Sequence, residues 1–217
     1  MASNDNIAMT KNGANVGIII GSQRIPRVGP QIATWVLNVL QEYQDSHSST
    51  NQRAYALSLI DLNDHQLPLF DEPGIPAQIS APDGYAHEHT KAWSRRINSF
   101  DGFVFVTPQY NWGYPASLKN AIDYLFHEWK GKPALVVSYG GHGGGKAAAQ
   151  LQGVLGGIGM KVVEKAPPLT FIDREQVGKA FRGEDLGLEG EAGRSLWVKE
   201  REDVGVAWEQ FLGLLNK

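Results

Sequence analysis

Five short apolar runs, most of them separated by a stretch long enough for a helix, leave this chain few folds to choose from. Val16 to Ile20 is apolar without interruption and stops at Gly21, which reads as a strand buried on both faces. A helical pattern follows, with Ile32, Val36, Val39 and Leu40 on one face and Tyr43 extending it, until the polar segment DSHSSTNQ ends it. Tyr55 to Leu59, continued by Ile60 and Leu62, makes a second strand. Strand, helix, strand is a right-handed βαβ unit and implies a parallel sheet. Phe103 to Val106, Ala134 to Tyr139 and Met160 to Val163 supply three more strands. Between them lie helical patterns over Ala86 to Asn98, from Pro115 through Leu118, Ile122, Leu125 and Phe126, and over Lys146 to Leu155. The alternation predicts a three-layer α/β sandwich: a five-stranded parallel sheet in the order 2-1-3-4-5 with helices on both faces.

The remaining segments are less regular. Residues 1–14 are polar and read as a disordered leader, leaving 15–217 as a single domain. Asn63 to Tyr85 carries prolines at 68, 73, 76 and 82; it is long for a structureless connection and reads either as a functional flap or as surface wrapping. Beyond Ala166 the alternation fades. Leu169 to Ile172 offers a short strand, Gly178 to Gly193 reads as loop, and Trp197, Val204, Trp208, Phe211 and Leu215 fall on one face of a terminal extension helix. Trp93, Trp197 and Trp208 are expected in the core.

Composition removes several kinds of chemistry. The chain has no cysteine, so thiolate catalysis, disulfides and cysteine-ligated metal centres are excluded. A net charge of -3 argues against nucleic acid or an anionic membrane as partner. The N-terminus lacks the apolar stretch of a signal peptide, and the expected location is the cytoplasm. His87 and His89 have the look of metal spacing, but at i and i+2 on a helix they diverge, and no metal is expected. No GxSxG elbow accompanies Ser22 and His142, which removes a hydrolase triad.

Three loops carry what chemistry the residues suggest. Gly21-Ser22-Gln23-Arg24, with Arg27 just beyond, joins the first strand to the first helix. A helix N-terminus, a hydroxyl and two guanidinium groups there suit a phosphate, or else form a capped helix start with two solvated arginines. The loop is neither a Walker A nor a dinucleotide fingerprint. Pro108 to Tyr114 follows the third strand; Gln109, Tyr110, Asn111, Trp112 and Tyr114 could read the edge of a flat heterocycle and stack on it, or merely pack. Tyr139 to Gly145 follows the fourth, with five glycines in six residues that let backbone approach a flat ligand. In the order 2-1-3-4-5, strands one, three and four are neighbours, so the loops meet in one crevice. A phosphate pocket beside a flat-ring pocket describes FMN better than ATP or a sugar phosphate.

The strings GSQRIPRVGPQI, PLFDEP, HEHTKAWS, TPQYNWGYPASLKNAIDYLFHEW and GKPALVVSYGGHGG resemble the NAD(P)H-dependent FMN reductases, above all the yeast and fungal NAD(P)H:quinone reductases, over roughly Val16 to Ala166. The resemblance implies a flavodoxin-like fold, tightly bound FMN, NAD(P)H as co-substrate, and a homodimer or tetramer in which a neighbour covers each flavin. It places Ser22, Arg24 and Arg27 at the phosphate. Pro108, Gln109, Tyr110, Asn111 and Trp112 would line the ring and ribityl chain, and Ser138, Gly140, Gly141 and His142 would close the other edge. Many bacterial relatives carry Glu where this chain has Gln109 and Ser where it has Arg27. The implied reaction is ping-pong: hydride passes from NAD(P)H to flavin N5, and a quinone, free flavin, azo dye or metal oxyanion then takes two electrons. No side chain is required as acid or base; His142 is the one protonatable candidate, either a proton donor or a packing residue. The alternatives are a flavin-loaded redox-sensing module that contacts a partner protein, and a pathway-specific reductase of an aromatic metabolite.

Overall fold

The computed structural model describes residues 13–46, 54–190, 193 and 196–217. The strands are β1 (Ala14–Ile20), β2 (Tyr55–Asp61), β3 (Gly102–Pro108), β4 (Pro133–Gly140), β5 (Lys161–Val162) and β6 (Pro168–Thr170). All pairs are parallel, and the order β2-β1-β3-β4-β5 is the one expected. The far edge departs from expectation. β5 is two residues long and pairs with the start of β4, whereas β6 pairs with its end, Ser138 to Gly140. Pro167 precedes β6 and Pro168 opens it; neither has an N–H for a continuous ladder. The first strand begins at Ala14, which is fully buried, so the domain starts one residue inside the segment read as leader. Residues 1–12 lie outside the described part.

The helices are α1 (Gly29–Ser46), α2 (Leu62–His65), α3 (Glu88–Asn98), α4 (Ala116–Asp123), α5 (Gly145–Gly157), α6 (Arg174–Arg182) and α7 (Val198–Leu215). Because successive side chains of a strand point to opposite faces, the apolar runs feed two cores. Val16, Ile18, Ile20, Val104, Val106, Leu135 and Val137 meet α1 and α7 on one side. Ile19, Phe103, Phe105, Ala134 and Val136 meet α3, α4 and α5 on the other. Each such fully buried Val, Ile or Phe contributes about 1.5–3 kcal/mol relative to exposure. Trp93, Trp197 and Trp208 are buried, as expected, and the Trp208 indole N–H donates to the Tyr55 hydroxyl at 3.0 Å.

Three local readings change. The α4 helix ends at Asp123; Leu125 and Phe126, placed on its apolar face by the pattern, belong to the turns after it. The proline-rich segment, read as a flap or as surface wrapping, is tied to α4 and the turn after it. Asn120 Nδ2 donates to the Pro68 carbonyl at 2.6 Å, the Phe70 N–H to Asn120 Oδ1 at 2.8 Å, and the Tyr124 hydroxyl to Asp71 at 2.8 Å. Glu72, buried, accepts from Thr90 Oγ1 at 2.8 Å and from the Ala86 N–H. Finally, the stretch read as loop from Gly178 contains most of α6, which starts under an Asp173 cap accepting from the Gln176 N–H at 2.8 Å and stops at Gly183, φ +68°. Gly178 inside it broke the helical reading. Among the described residues, no helix is long and apolar enough to cross a membrane.

Candidate functional site

The carboxyl ends of β1, β3 and β4 surround a cleft of about 460 Å³. This is where an open parallel sheet of this order binds ligands, because the chain departs to opposite sides of β1 and β3. Ser22, Arg24, Arg27, Pro108, Gln109, Tyr110, Gly140, Gly141 and His142 all line it. The three loops named by the sequence therefore meet as expected.

The first loop is held from several sides. The Gly21 N–H donates to Val106 at 3.0 Å, Ser117 Oγ donates to the Gly21 carbonyl at 3.2 Å, and Gln23 Nε2 reaches the Leu62 carbonyl at 2.8 Å. Ser22 is buried, with its Oγ 2.6 Å from the Tyr110 hydroxyl. Arg27 has both Nη atoms on Asp61, at 2.7 and 2.6 Å, and a further bond to the Ser22 carbonyl at 2.6 Å. The hydrogen bond to Asp61 raises the Arg27 pKa against the cost of burial. Arg24 is different. Among the described residues it has no carboxylate partner, and its guanidinium lies over the rings of Tyr110, at 4.9 Å, and Phe181, at 6.0 Å. One of the two arginines is thus neutralised by the protein, whereas the other, among the described residues, is not.

The second loop turns back sharply. Tyr110 and Gly113 exchange N–H to carbonyl bonds at 2.8 and 3.0 Å across Asn111 and Trp112, which have φ of +47° and +69°. Two central residues at positive φ is the pattern of a type I′ turn; Asn tolerates it, and an indole-bearing residue stores strain there. Asn111 and Trp112 do not line the cleft, and Trp112 is 72% exposed. Gln109 Oε1 accepts from the Lys146 and Ala147 N–H groups at 3.1 and 3.3 Å, tying this loop to the first turn of α5.

The third loop owes its shape to Ser138 and the glycines. Ser138 is buried under it, with Oγ donating to the Gly143 carbonyl at 2.7 Å, so it braces the wall without lining it. Gly144 has φ +78°, and a Cβ there would lie 3.0 Å from Ser138 Cβ and from the Tyr139 carbonyl oxygen. At Gly140 a Cβ would meet no protein atom within 4 Å, so bare backbone faces open space. His142 is exposed at the rim. Burial pushes the Tyr139 phenol well above its ordinary range, which keeps it protonated in the cleft wall.

The sequence reading missed Val28, Phe171, Val177, Ala180 and Phe181, and named Tyr139 and Gly144 only as members of the third loop. Val177, Ala180 and Phe181 share one face of α6 at helical spacing, the signal hidden by reading that stretch as loop. His87 and His89 do not diverge: His87 is the extended cap before α3, not a residue within it, and the rings stack at 5.1 Å beside Asp71. Among the described residues, no group of three or more His, Asp or Glu is arranged to hold a metal.

The site suits FMN. A helix start with an unpaired cation fits a phosphate, and the bare Gly140 backbone with aromatic and aliphatic side chains fits a flat ring. The comparisons agree. The family model described as NADPH-dependent FMN reductase matches residues 14–171. The NAD(P)H-dependent FMN reductase LOT6 of Saccharomyces cerevisiae is 54% identical over 150 residues, 68% of this chain and 76% of that one. The NAD(P)H-dependent FMN reductase ntnL of a Nectria species is 37% identical over 207 residues, 94% and 98% of the two chains. More distant relatives are named quinone reductases. Among solved structures, the flavoenzyme NAD(P)H:(acceptor) oxidoreductase FerB from Paracoccus denitrificans shares the fold, with a TM-score of 0.59 at 22% identity over 94% of this chain and 97% of that one. By sequence, sheet order and site, the chain belongs to the NADPH-dependent FMN reductase family.

Proposed function

We propose that this enzyme, an FMN-dependent oxidoreductase using NAD(P)H, passes two electrons to a quinone or a related acceptor in a ping-pong cycle. Free flavin, azo dyes and metal oxyanions belong to the same acceptor class. The observation that carries the reading is the single cleft in which a charged, anion-seeking end and a bare, flat-walled end adjoin. FMN supplies the hydride chemistry when bound; the residues bind, orient and exclude water. Ser22, the backbone N–H groups of its loop and Arg24 hold the phosphate. Arg27, tied to Asp61, fixes the loop. Pro108, Gln109, Tyr110, Gly140, Gly141 and His142 enclose the ring and ribityl chain, with Ser138 bracing the glycine loop. Backbone N–H groups of that loop stabilise negative charge at the ring edge. Asn111 sets the turn that presents Trp112. The exposed, strained Trp112 favours contact with a second copy, in a cytoplasmic homodimer or tetramer, over contact with its own cofactor.

The purified protein is expected to be yellow, to bleach anaerobically on NADPH and to regain colour on a quinone, with parallel double-reciprocal plots. A colourless protein that takes up no FMN overturns the reading. No side chain is needed as acid or base, so the pH profile of quinone turnover is expected to keep its shape in His142→Ala. Loss of one limb would make His142 the proton donor.

A further inference from the structure

The family model stops at residue 171, before α6, yet α6 forms one wall of the cleft. The helix is anchored for that position. Ala180 is buried in the core shared with β4 and α1. At its end, Gly183 sits so close to the first loop that a Cβ would come within 2.6 Å of Pro26 Cβ and 3.1 Å of the Arg27 nitrogen. Gln31 of α1 then grips the following turn: its Nε2 donates to the Glu184 carbonyl at 3.0 Å, and its Oε1 accepts from the Leu186 N–H at 2.9 Å. The α6 helix and the Ser22 to Arg27 loop are therefore fixed to one another.

Phe181 projects from this anchored helix and is 64% exposed. Its ring lies 6.0 Å from the Arg24 guanidinium, which also lies over Tyr110 at 4.9 Å. An arginine side chain has many rotamers, and an exposed one gives up much of that freedom when an anion fixes it. Two ring faces limit those rotamers before the anion arrives, and they do so without neutralising the charge as a carboxylate would.

We propose that α6 is a phosphate-end clamp: Phe181 acts as a positioning residue that holds Arg24 against Tyr110, so that the chain favours phosphorylated over unphosphorylated flavin. The proposal rests on the FMN reading above. Its content is a specificity. Phe181 acts through the cation, so its effect belongs to ligands that carry the phosphate; a ring that merely walls the cleft would serve riboflavin and FMN alike.

The test is a titration of the full-length, flavin-stripped protein with FMN and, separately, with riboflavin, read by quenching of flavin fluorescence. Phe181→Ala is expected to raise the FMN Kd by about two- to fivefold, the span of one exposed cation–π contact, and to leave the riboflavin Kd unchanged. Phe181→Leu keeps bulk but has no ring and is expected to behave like the alanine variant, whereas Phe181→Tyr restores wild-type FMN affinity. In an Arg24→Ala background, Phe181→Ala is expected to add nothing. An unchanged FMN Kd in Phe181→Ala, equal losses for FMN and riboflavin, or full affinity in the leucine variant each overturns the clamp. A wild-type protein that binds neither flavin overturns the underlying FMN reading instead.

Discussion

Asp61→Ala isolates the interaction that shapes the first loop. Asp61 and Arg27 are each 17% exposed, and both guanidinium Nη atoms reach the carboxylate. An exposed ion pair contributes about 0–1 kcal/mol, and deleting one partner of a fully buried pair costs about 3–5 kcal/mol. At this exposure and with two-point geometry, the loss is expected at about 2–3 kcal/mol. Asp61 also caps α2 by accepting from the Asn63 N–H at 3.0 Å, which adds about 1 kcal/mol. Asp61→Asn keeps the cap and one acceptor, so its cost is expected at about half. The pair itself is separated from the cap by a double-mutant cycle with Arg27→Ala, measured by urea unfolding of flavin-free protein at pH 7. A coupling of about 1.5–2 kcal/mol is expected. Stability lost in Asp61→Ala should be partly recovered by FMN, because the released Arg27 still faces the cleft and gains an anion. A coupling below about 0.5 kcal/mol would refute the claim that the loop is organised around this pair.

Three further outcomes follow from other positions. Gly144→Ala forces a side chain to φ +78° and against Ser138 and the Tyr139 backbone; a loss of about 2–3 kcal/mol, seen as a melting temperature lower by about 5–10 °C, is expected together with weaker FMN binding. Burial lowers the Lys132 pKa from 10.5 to about 8. At Lys132 the folded state therefore binds fewer protons than the unfolded one between those values, and this residue's contribution to stability should be flat below pH 8 and rise from there toward pH 10. Lys132→Met should abolish that rise, checked by urea midpoints at half-unit pH steps; above pH 10 tyrosines held protonated by burial act in the opposite direction. Trp112→Gly relieves a left-handed backbone and should raise monomer stability by about 0.5–1 kcal/mol. It should also weaken self-association in light scattering; unchanged assembly, FMN affinity and acceptor kinetics would leave Trp112 without the role given to it.

The sheet was legible because its signal is redundant. Val16 to Ile20, Phe103 to Val106 and Ala134 to Tyr139 are apolar on both faces, a pattern that only a central strand covered by helices requires. Their order followed from the connection rules and needed no contact information. Where the signal was single, the reading slipped. β5 and β6 divide one edge position between two short pieces, and no periodicity can show that; the prolines at 167 and 168 were the available hint. α6 was lost because one glycine outweighed a period-3.6 set of Val177, Ala180 and Phe181, although Asp173 ahead of it and Gly183 behind it are ordinary helix punctuation.

The site divides along the same line, between what a residue type implies and what its neighbours do with it. Ser22, Arg24 and Arg27 are equally plausible phosphate ligands as letters. Only the fold shows that Asp61, at the end of the neighbouring strand, engages Arg27, while Arg24 meets ring faces and, among the described residues, no carboxylate. That difference sets what each arginine can do. A guanidinium bonded to a carboxylate at two points is neutralised and rigid, so it serves as scaffold; one held by aromatic faces is equally restrained and keeps its charge. A chain that needs one fixed loop and one available cation within four residues must supply different restraints to the two. Here they come from different elements: a carboxylate from β2, and a ring from a helix that lies outside the matched family segment. Retention of FMN in this protein is thus expected to depend on residues well beyond the motif by which its flavin site is recognised.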